Sequence, residues 1–373
     1  MATMNKNEDG KIGTREFFSI VLLIIGVKVT DETPGYLFQL GGNATWLIPF
    51  FQLVIISIPF MLLLALIKKY EKGLIELIFH LSGKFLGSVI CFTLFFIMFF
   101  SITNRSKSSA SIISTLFYQK TSVSLLTLAL LLTSFFIAKR GLKAISSGTW
   151  LLIPVLEITL ILLLFIVWKE VSWLRLFPLA GPGLGTLLTQ SFNHSFILGE
   201  VILLAAFFPY TRTFKNYQLA SLLGLGVAAF KLMLFLAIYV AVFDYPSTKR
   251  MAYPHQELTR IAEFGTSISH VEGFFLYFWL FAILFRFAIC LYLLAFFLGS
   301  ALRLKNFEKL LVPLAGLIAL SSLLPANTYI LIPYREVMFK IGSWLLITLP
   351  FFLWALSKLR GGRQDNETNN SAA

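Results

Sequence analysis

Repetition of length is the strongest constraint on this chain. Apolar runs of roughly 18 or more residues recur from position 14 to position 357. A bilayer core of about 30 Å is crossed by about 20 helical residues. Within hydrocarbon, every backbone N–H and C=O must be paired inside a helix or a closed barrel. Barrel strands would alternate apolar and polar residues in segments of about 10, whereas these runs are continuous. The chain therefore reads as an all-α polytopic membrane protein. Its charged share of 13% against 57% hydrophobic is about half that of a soluble domain.

Ten transmembrane helices are expected, near 14–38, 45–67, 85–104, 122–138, 146–168, 184–209, 217–242, 271–299, 310–325 and 336–357. They form one membrane domain over 14–357, between a cytoplasmic segment at 1–13 and a disordered cytoplasmic tail at 358–373. The opening MATMNKNEDGKIGTRE is polar and lacks the short apolar core and cleavage site of a signal peptide. Basic clusters at Lys68, Lys69 and Lys72, at Lys139, Arg140 and Lys143, and at Arg303, Lys305 and Lys309 share the side of the N-terminus. The positive-inside rule then places both termini in the cytoplasm of a multi-pass cell-membrane protein. The net charge of +13 is spread through these short clusters, so no nucleic-acid partner is implied. The longest loop, 243–270, is extracytoplasmic, and HQELTRIAEF within it has the spacing of a short surface helix.

Ten spans divide into two sets of five, and an odd-numbered repeat inserts its second copy inverted, as in many transporters. Spans 1 and 6 then correspond, and both are interrupted. Span 1, FFSIVLLIIGVKVTDETPGYLF, is expected to break near Gly26, before Pro34. Span 6 has the same character at Asn193, His194, Ser195 and Gly199. A broken helix exposes N–H groups on one half and C=O groups on the other. That suits a zwitterionic amino acid, and a sugar also fits exposed polar groups.

Five ionisable residues lie near the expected midplane: Lys28, Glu157, Glu200, Lys231 and Arg286. Each costs about 2.5–3.5 kcal/mol to insert, so they either pair with one another as structural glue or line a polar cavity. Ligand contacts are expected from Gly26, Lys28 and Thr30 in span 1, and from Ser101 and Ile102 in span 3, on one face with Met98 and Arg105. Span 6 contributes Asn193, Phe196, Leu198, Gly199 and Glu200, and span 8 contributes Ala288 and Tyr292. Gly26 and Gly199 are expected to let a ligand approach the backbone, with Glu200 anchoring the break or meeting the ligand. Glu157, Lys231 and Arg286 are further interior charges. Gly224 and Gly226 are expected to permit close helix packing.

Cys91 and Cys290 fall in apolar runs, which argues against a disulfide. His80, His194, His255 and His270 have no metal-ligand spacing with the acids. No phosphate-binding glycine motif occurs. No catalytic site, metal or cofactor is expected, and the chain is not read as an enzyme.

Four stretches carry a family resemblance: KIGTREFFSIVLLIIG (11–26), GGNATWLIPFF (41–51), FILGEVILLAAFFPY (196–210) and YPHQELTRIAEFGTSISHVEGFFLYFW (253–279), the last containing Glu272 and Trp279. Together they resemble the spore germination permeases, the B subunits of nutrient germinant receptors and a branch of the amino acid/polyamine/organocation transporter superfamily. The resemblance implies a ten-helix inverted-repeat bundle with a small-nutrient site between spans 1, 3, 6 and 8. It also implies an A subunit, a lipoprotein C subunit and the spore inner membrane. The leading expectation is a subunit that binds an amino acid or sugar and triggers germination. A proton-coupled amino acid transporter, with Glu200 or Glu157 carrying the proton, and a non-sensing assembly subunit are the alternatives.

Overall fold

The computed structural model describes residues 11–262, 271–324 and 328–370. The first ten residues, loop positions 263–270 and the last three residues of the expected tail lie outside them. Helix dominates throughout. α1 (Thr14–Gly26) passes into a 3-10 turn at Val27–Val29 and is followed by α2 (Thr33–Gly41). Then come α3 (Ile48–Tyr70), α4 (Leu74–Leu116), α5 (Val123–Ala138) and α6 (Gly141–Val167). α7 (Leu184–Asn193) and α8 (Phe196–Leu204) are separate helices, extended by a 3-10 turn at Ala205–Tyr210. α9 (Phe214–Phe243), the short α10 (Tyr245–Thr248) and α11 (Pro254–Ile261) precede α12 (Val271–Ala301), α13 (Leu311–Leu323) and α14 (Thr328–Asn370). The backbone of α14 continues past residue 357, where the sequence indicated a polar tail.

Seven stretches among the described residues are long and apolar enough to cross a membrane: Thr33–Tyr70, Leu74–Leu116, Gly141–Glu170, Leu184–Tyr210, Phe214–Phe243, Gly273–Ala301 and Tyr334–Leu359. α5 is an apolar helix of 16 residues, and α1 and α13 have 13 each. This is an all-α polytopic membrane protein. Bulky apolar side chains such as Phe85, Leu151 and Phe165 point outward, which suits a surface solvated by lipid rather than water. All nine residues of α8, by contrast, are buried.

Local chemistry accounts for the interruptions. Beyond Gly26 the helix tightens, and Thr30 Oγ1 donates to the Val27 carbonyl at 2.8 Å. Asp31 Oδ1 then accepts the Thr33 N–H at 2.8 Å, which satisfies the first free N–H of α2 from the residue before its N-cap. Pro34 sits in the first turn, where its missing N–H leaves no helical bond unmade. In α4 the bend falls at Gly83, whose φ of 80° is open to glycine and unfavourable for most residues.

Close packing fastens α1 into the centre. A Cβ on Gly224 of α9 would lie 2.8 Å from Val21 Cβ, so the two backbones can approach only because that side chain is absent. Gly226 faces open space and has no such role. The N-terminal segment is tied down by an isolated parallel bridge between Ile12 and Thr211. Ile12 N donates to the Tyr210 carbonyl at 2.7 Å, and Arg212 N to the Ile12 carbonyl at 3.1 Å.

The expected loop helix forms as α11 and lies over the α1–α2 break. Gln256 Nε2 donates to the Thr30 carbonyl at 2.8 Å. Nearby, a Cβ on Gly35 would stand 2.7 Å from the Ala252 carbonyl oxygen. The loop backbone therefore rests directly on α2.

Candidate functional site at two helix breaks

The α1–α2 and α7–α8 breaks lie side by side. Lys28, in the 3-10 turn, donates from Nζ to the Ile197 carbonyl, and the same ammonium is 2.7 Å from Glu200 Oε2. Glu200 Oε1 is 3.5 Å from Arg105 Nη2, and Arg105 Nη1 reaches Asp31 Oδ2 at 3.0 Å. Arg286 Nη1 meets that same Asp31 oxygen at 2.8 Å. The result is a chain of charge, Lys28–Glu200–Arg105–Asp31–Arg286, drawn from α4, α8, α12 and the first break. All five residues are buried, Glu200 being the most exposed at 9%. Buried charge survives only when paired, and pairing here ties four elements together. Three cations against two carboxylates leave an excess of one positive charge. Arg286 Nε and Nη2 are buried with no hydrogen-bond partner among the described residues.

Sequence reasoning expected the breaks to offer free backbone groups to a ligand. The structure shows several of these groups already taken by the protein's own side chains. Tyr239 donates to the Val29 carbonyl at 3.0 Å, and Gln52 Nε2 to the His194 carbonyl at 2.9 Å. Ser343 Oγ donates to the Asn193 carbonyl at 2.9 Å and accepts the Phe196 N–H at 2.8 Å. Lys28 supplies an ammonium at a position where a ligand's ammonium was expected. The reason is energetic: a bare backbone group in hydrocarbon costs several kcal/mol.

Open space lies next to this cluster. A cleft bounded by Glu32, Thr33, Tyr36, Ser101, Asn104, Arg105 and Phe196 is closed on the far side by Arg335, Met338 and Phe339 of α14. Arg335 Nη1 bonds Glu32 Oε1 at 3.1 Å, and its guanidinium stacks 4.5 Å from the Tyr36 ring centroid. His194 Nδ1 is 2.8 Å from the Gln190 carbonyl, which makes Nδ1 the donor. Nε2 is then the acceptor for the Tyr36 hydroxyl, also at 2.8 Å. The cleft is nearly shut, with a cavity volume of about 20 Å³, room for one or two waters.

The residues proposed from sequence fall into several places. Lys28 and Glu200 belong to the cluster, and Ser101 Oγ accepts from Arg105 Nε at 3.3 Å. Phe196 lines the cleft, while Thr30 closes the 3-10 turn and Asn193 offers its carbonyl to Ser343. Ile102, Leu198 and Ala288 are buried apolar residues. Gly26 faces Lys231, whose Cε and Nζ would lie 2.8 Å from an added Cβ. Lys231 in turn pairs with Glu157 at 2.6 Å, apart from the five-residue chain. Gly199 packs toward Leu346 and Ile56, 3.1 and 3.3 Å from where its Cβ would be. Tyr292 donates to Glu308 at 3.2 Å and packs against Phe207 and Phe307.

Asp31, Glu32, Tyr36, Arg335 and Phe339 were not among the expected contacts, and Arg105 was placed only on the face it shares with Ser101 and Ile102. Arg105 carried a usable signal, a charge inside an apolar helix four residues after Ser101. Arg335 carried none, since a basic residue at the start of an apolar run reads as an interfacial charge.

A family model described as spore germination protein matches residues 11–330. The chain belongs to the spore germination protein family. Comparison with curated proteins gives no match. The match contains both helix breaks and every member of the charge chain, from Lys28 to Arg286. In this spore germination protein, Arg335 and Phe339 lie beyond the matched residues, so the far wall of the cleft is contributed by a segment outside the match.

Proposed function

We propose that this protein is the membrane subunit of a spore nutrient germinant receptor. It binds a small nutrient, an amino acid or a sugar, in a transporter-like central cavity and thereby triggers germination. In this reading ten spans form two inverted sets of five, both termini are cytoplasmic, and the subunit works with A and C partners in the spore inner membrane. The observation that carries the proposal is the cleft beside Arg105: it adjoins a charge chain that links the α1–α2 break to α4, α8 and α12.

That arrangement suits a sensor. A ligand shifts an equilibrium only by binding one arrangement better than another. Arg105 is shared between the cleft wall, Asp31 and Glu200, so a ligand that draws on it alters the balance of bonds among four elements at once.

Spores carrying Arg105→Met test the proposal. They should lose the nutrient response while keeping the protein in the membrane fraction and germinating normally after a non-nutrient stimulus such as high pressure. An unchanged nutrient dose-response in those spores would remove Arg105 from the signal.

A proton-coupled transporter is the second reading, favoured by the separate intramembrane Lys231–Glu157 pair at 2.6 Å. Reconstituted vesicles that accumulate labelled amino acid under an imposed pH gradient, and fail to do so with Glu157→Gln, would support transport.

A further inference from the structure

We propose that an anionic phospholipid binds at the turn between α5 and α6. One acyl chain enters a cavity bounded by Thr133, Phe136, Ile137, Ala144 and Phe285, and the phosphate rests against Arg140 at its rim. The cavity measures about 380 Å³, within the range of about 300–1,000 Å³ common for small-ligand sites. None of its residues belongs to the charge chain or to the cleft beside Arg105, and the site does not depend on nutrient binding.

Small residues on α6 make the notch. Ala144, one turn into the helix, is exposed and offers only a methyl group. One turn deeper, a Cβ on Gly148 would stand 2.5 Å from Phe285 Cε1. The Phe285 ring therefore fits across α6 only because that side chain is absent, about 12 Å along the helix from Arg140. Below Arg140 the walls are hydrocarbon in effect. The one hydroxyl, on Thr133, donates to the Ala129 carbonyl of its own helix at 2.9 Å. A hydrocarbon chain fits such a space, and leaving it empty would forfeit the dispersion contacts of its lining.

The rim selects an anion. Lys139 and Arg140 are both exposed at the turn, and their side chains have no ionic partner among the described residues. Lys143, one turn on, is by contrast paired with Glu16 at 3.3 Å. Arg140 is also the N-cap of α6, whose first N–H groups lack a side-chain cap and carry partial positive charge. The carbonyl end of α5 reaches the same turn, but its charge of about one half is outweighed by two full cations. An apolar slot below and an anion site at the water boundary are filled together by one molecule, a phospholipid with a net negative headgroup. A helix about 10–12 Å across does not enter so small a notch, which argues against a partner's transmembrane segment.

The purified full chain in detergent, titrated with dioleoyl phosphatidylglycerol, tests the site, because a ligand bound only by the folded state raises the thermal midpoint. Dioleoyl phosphatidylcholine, dioleoylglycerol and glycerol 3-phosphate are the comparison probes, lacking in turn net charge, phosphate and acyl chains. The anionic lipid is expected to stabilise most. Arg140→Gln should raise its half-saturating concentration about fivefold, the scale of one basic residue at a membrane surface. Ala144→Phe should also raise it, by filling the cavity. Lys305→Gln, in a separate exposed loop, should leave it unchanged. All three positions are exposed, so the variants leave the core intact, and lipid-free melts verify that they are folded.

Equal weakening by Lys305→Gln would reduce the effect to diffuse attraction between basic loops and lipid, and overturn the site. Phosphatidylcholine or dioleoylglycerol acting as strongly as phosphatidylglycerol would overturn the anion. Glycerol 3-phosphate acting as strongly would overturn the acyl chain in favour of free phosphate. Unchanged half-saturation in Ala144→Phe would place the lipid elsewhere. A dimer by light scattering that Ala144→Phe converts to single copies would assign the cavity to a second copy of this chain. No stabilisation by phosphatidylglycerol on folded protein would overturn the proposal outright.

Discussion

Lys28 and Ile197 stand 169 positions apart, and the ammonium of the first donates to the carbonyl of the second. One side chain thus satisfies a carbonyl near the α7–α8 break from within the α1–α2 break, while holding Glu200 at 2.7 Å. The two interruptions stabilise each other, and what looks locally like two weak points is one joint.

Removing that ammonium should be costly. Lys28→Met leaves Glu200 with Arg105 alone, at 3.5 Å, and leaves the Ile197 carbonyl without its donor. Breaking one side of a buried pair costs about 3–5 kcal/mol, so a large drop in the thermal midpoint is expected in detergent. Lys28→Met combined with Glu200→Leu should recover part of it, because no stranded carboxylate remains. Losses that simply add in the double variant would argue that the pairing of Lys28 with Glu200 contributes little.

Gly26 is expected to act through Lys231 rather than through direct ligand contact. An added Cβ would meet the tip of Lys231 at 2.8 Å and Leu22 Cδ1 at 3.2 Å, both far ends of flexible side chains, so Gly26→Ala should be tolerated. Gly26→Leu should push Lys231 away from Glu157 and destabilise the fold. Trimming the obstacle with Lys231→Ala should then restore expression and melting behaviour. If Gly26→Leu abolishes the nutrient response without changing stability, and Lys231→Ala brings no rescue, the glycine serves the ligand directly.

Acid should weaken the seat of α11. Burial pushes the His255 imidazole down to about 3, below its ordinary value of about 6.5. The unfolded chain therefore binds a proton that the folded chain refuses. Stability contributed by the neutral ring is present above about pH 6.5 and is lost as the pH falls toward 3, by up to about 1.4 kcal/mol per pH unit. The thermal midpoint should fall between pH 7.5 and pH 5, and it should fall less in His255→Gln. Equal pH sensitivity in the two proteins would assign the effect to other groups.

The loop that carries α11 should loosen when its contact with α2 is disturbed. At Gly35 an added methyl meets loop backbone, 2.7 Å from the Ala252 carbonyl and 2.9 Å from that of Met251, and backbone cannot swing aside as a lysine tip can. Gly35→Ala is expected to accelerate proteolytic cleavage within 244–262 relative to the unmodified protein. Gln256→Leu should do the same by orphaning the Thr30 carbonyl, at a cost of about 1–3 kcal/mol. Unchanged cleavage rates in both would mean the loop is held elsewhere.

The long apolar helices, the interruptions after Gly26 and around His194, and the small helix at Pro254–Ile261 were all legible in the amino-acid order. Each depends on neighbours within a turn or two: on apolar length, on glycine and proline, on a polar residue able to cap. Two intramembrane breaks and a set of midplane charges were equally plain. What only the tertiary structure decided was who meets whom. Asp31 and Arg105 were visible as residues, yet their bond to each other, and the pairing of Glu32 with Arg335, depend on how α2, α4 and α14 are turned about their axes. Gly199 likewise looked open to a ligand and instead faces Leu346 and Ile56. The physical reason is that a helix apolar on all sides carries little record of which face turns inward. In lipid, rotation is settled by close packing and by the pairing of rare polar groups. Those contacts join residues far apart along the chain, where no local pattern can report them.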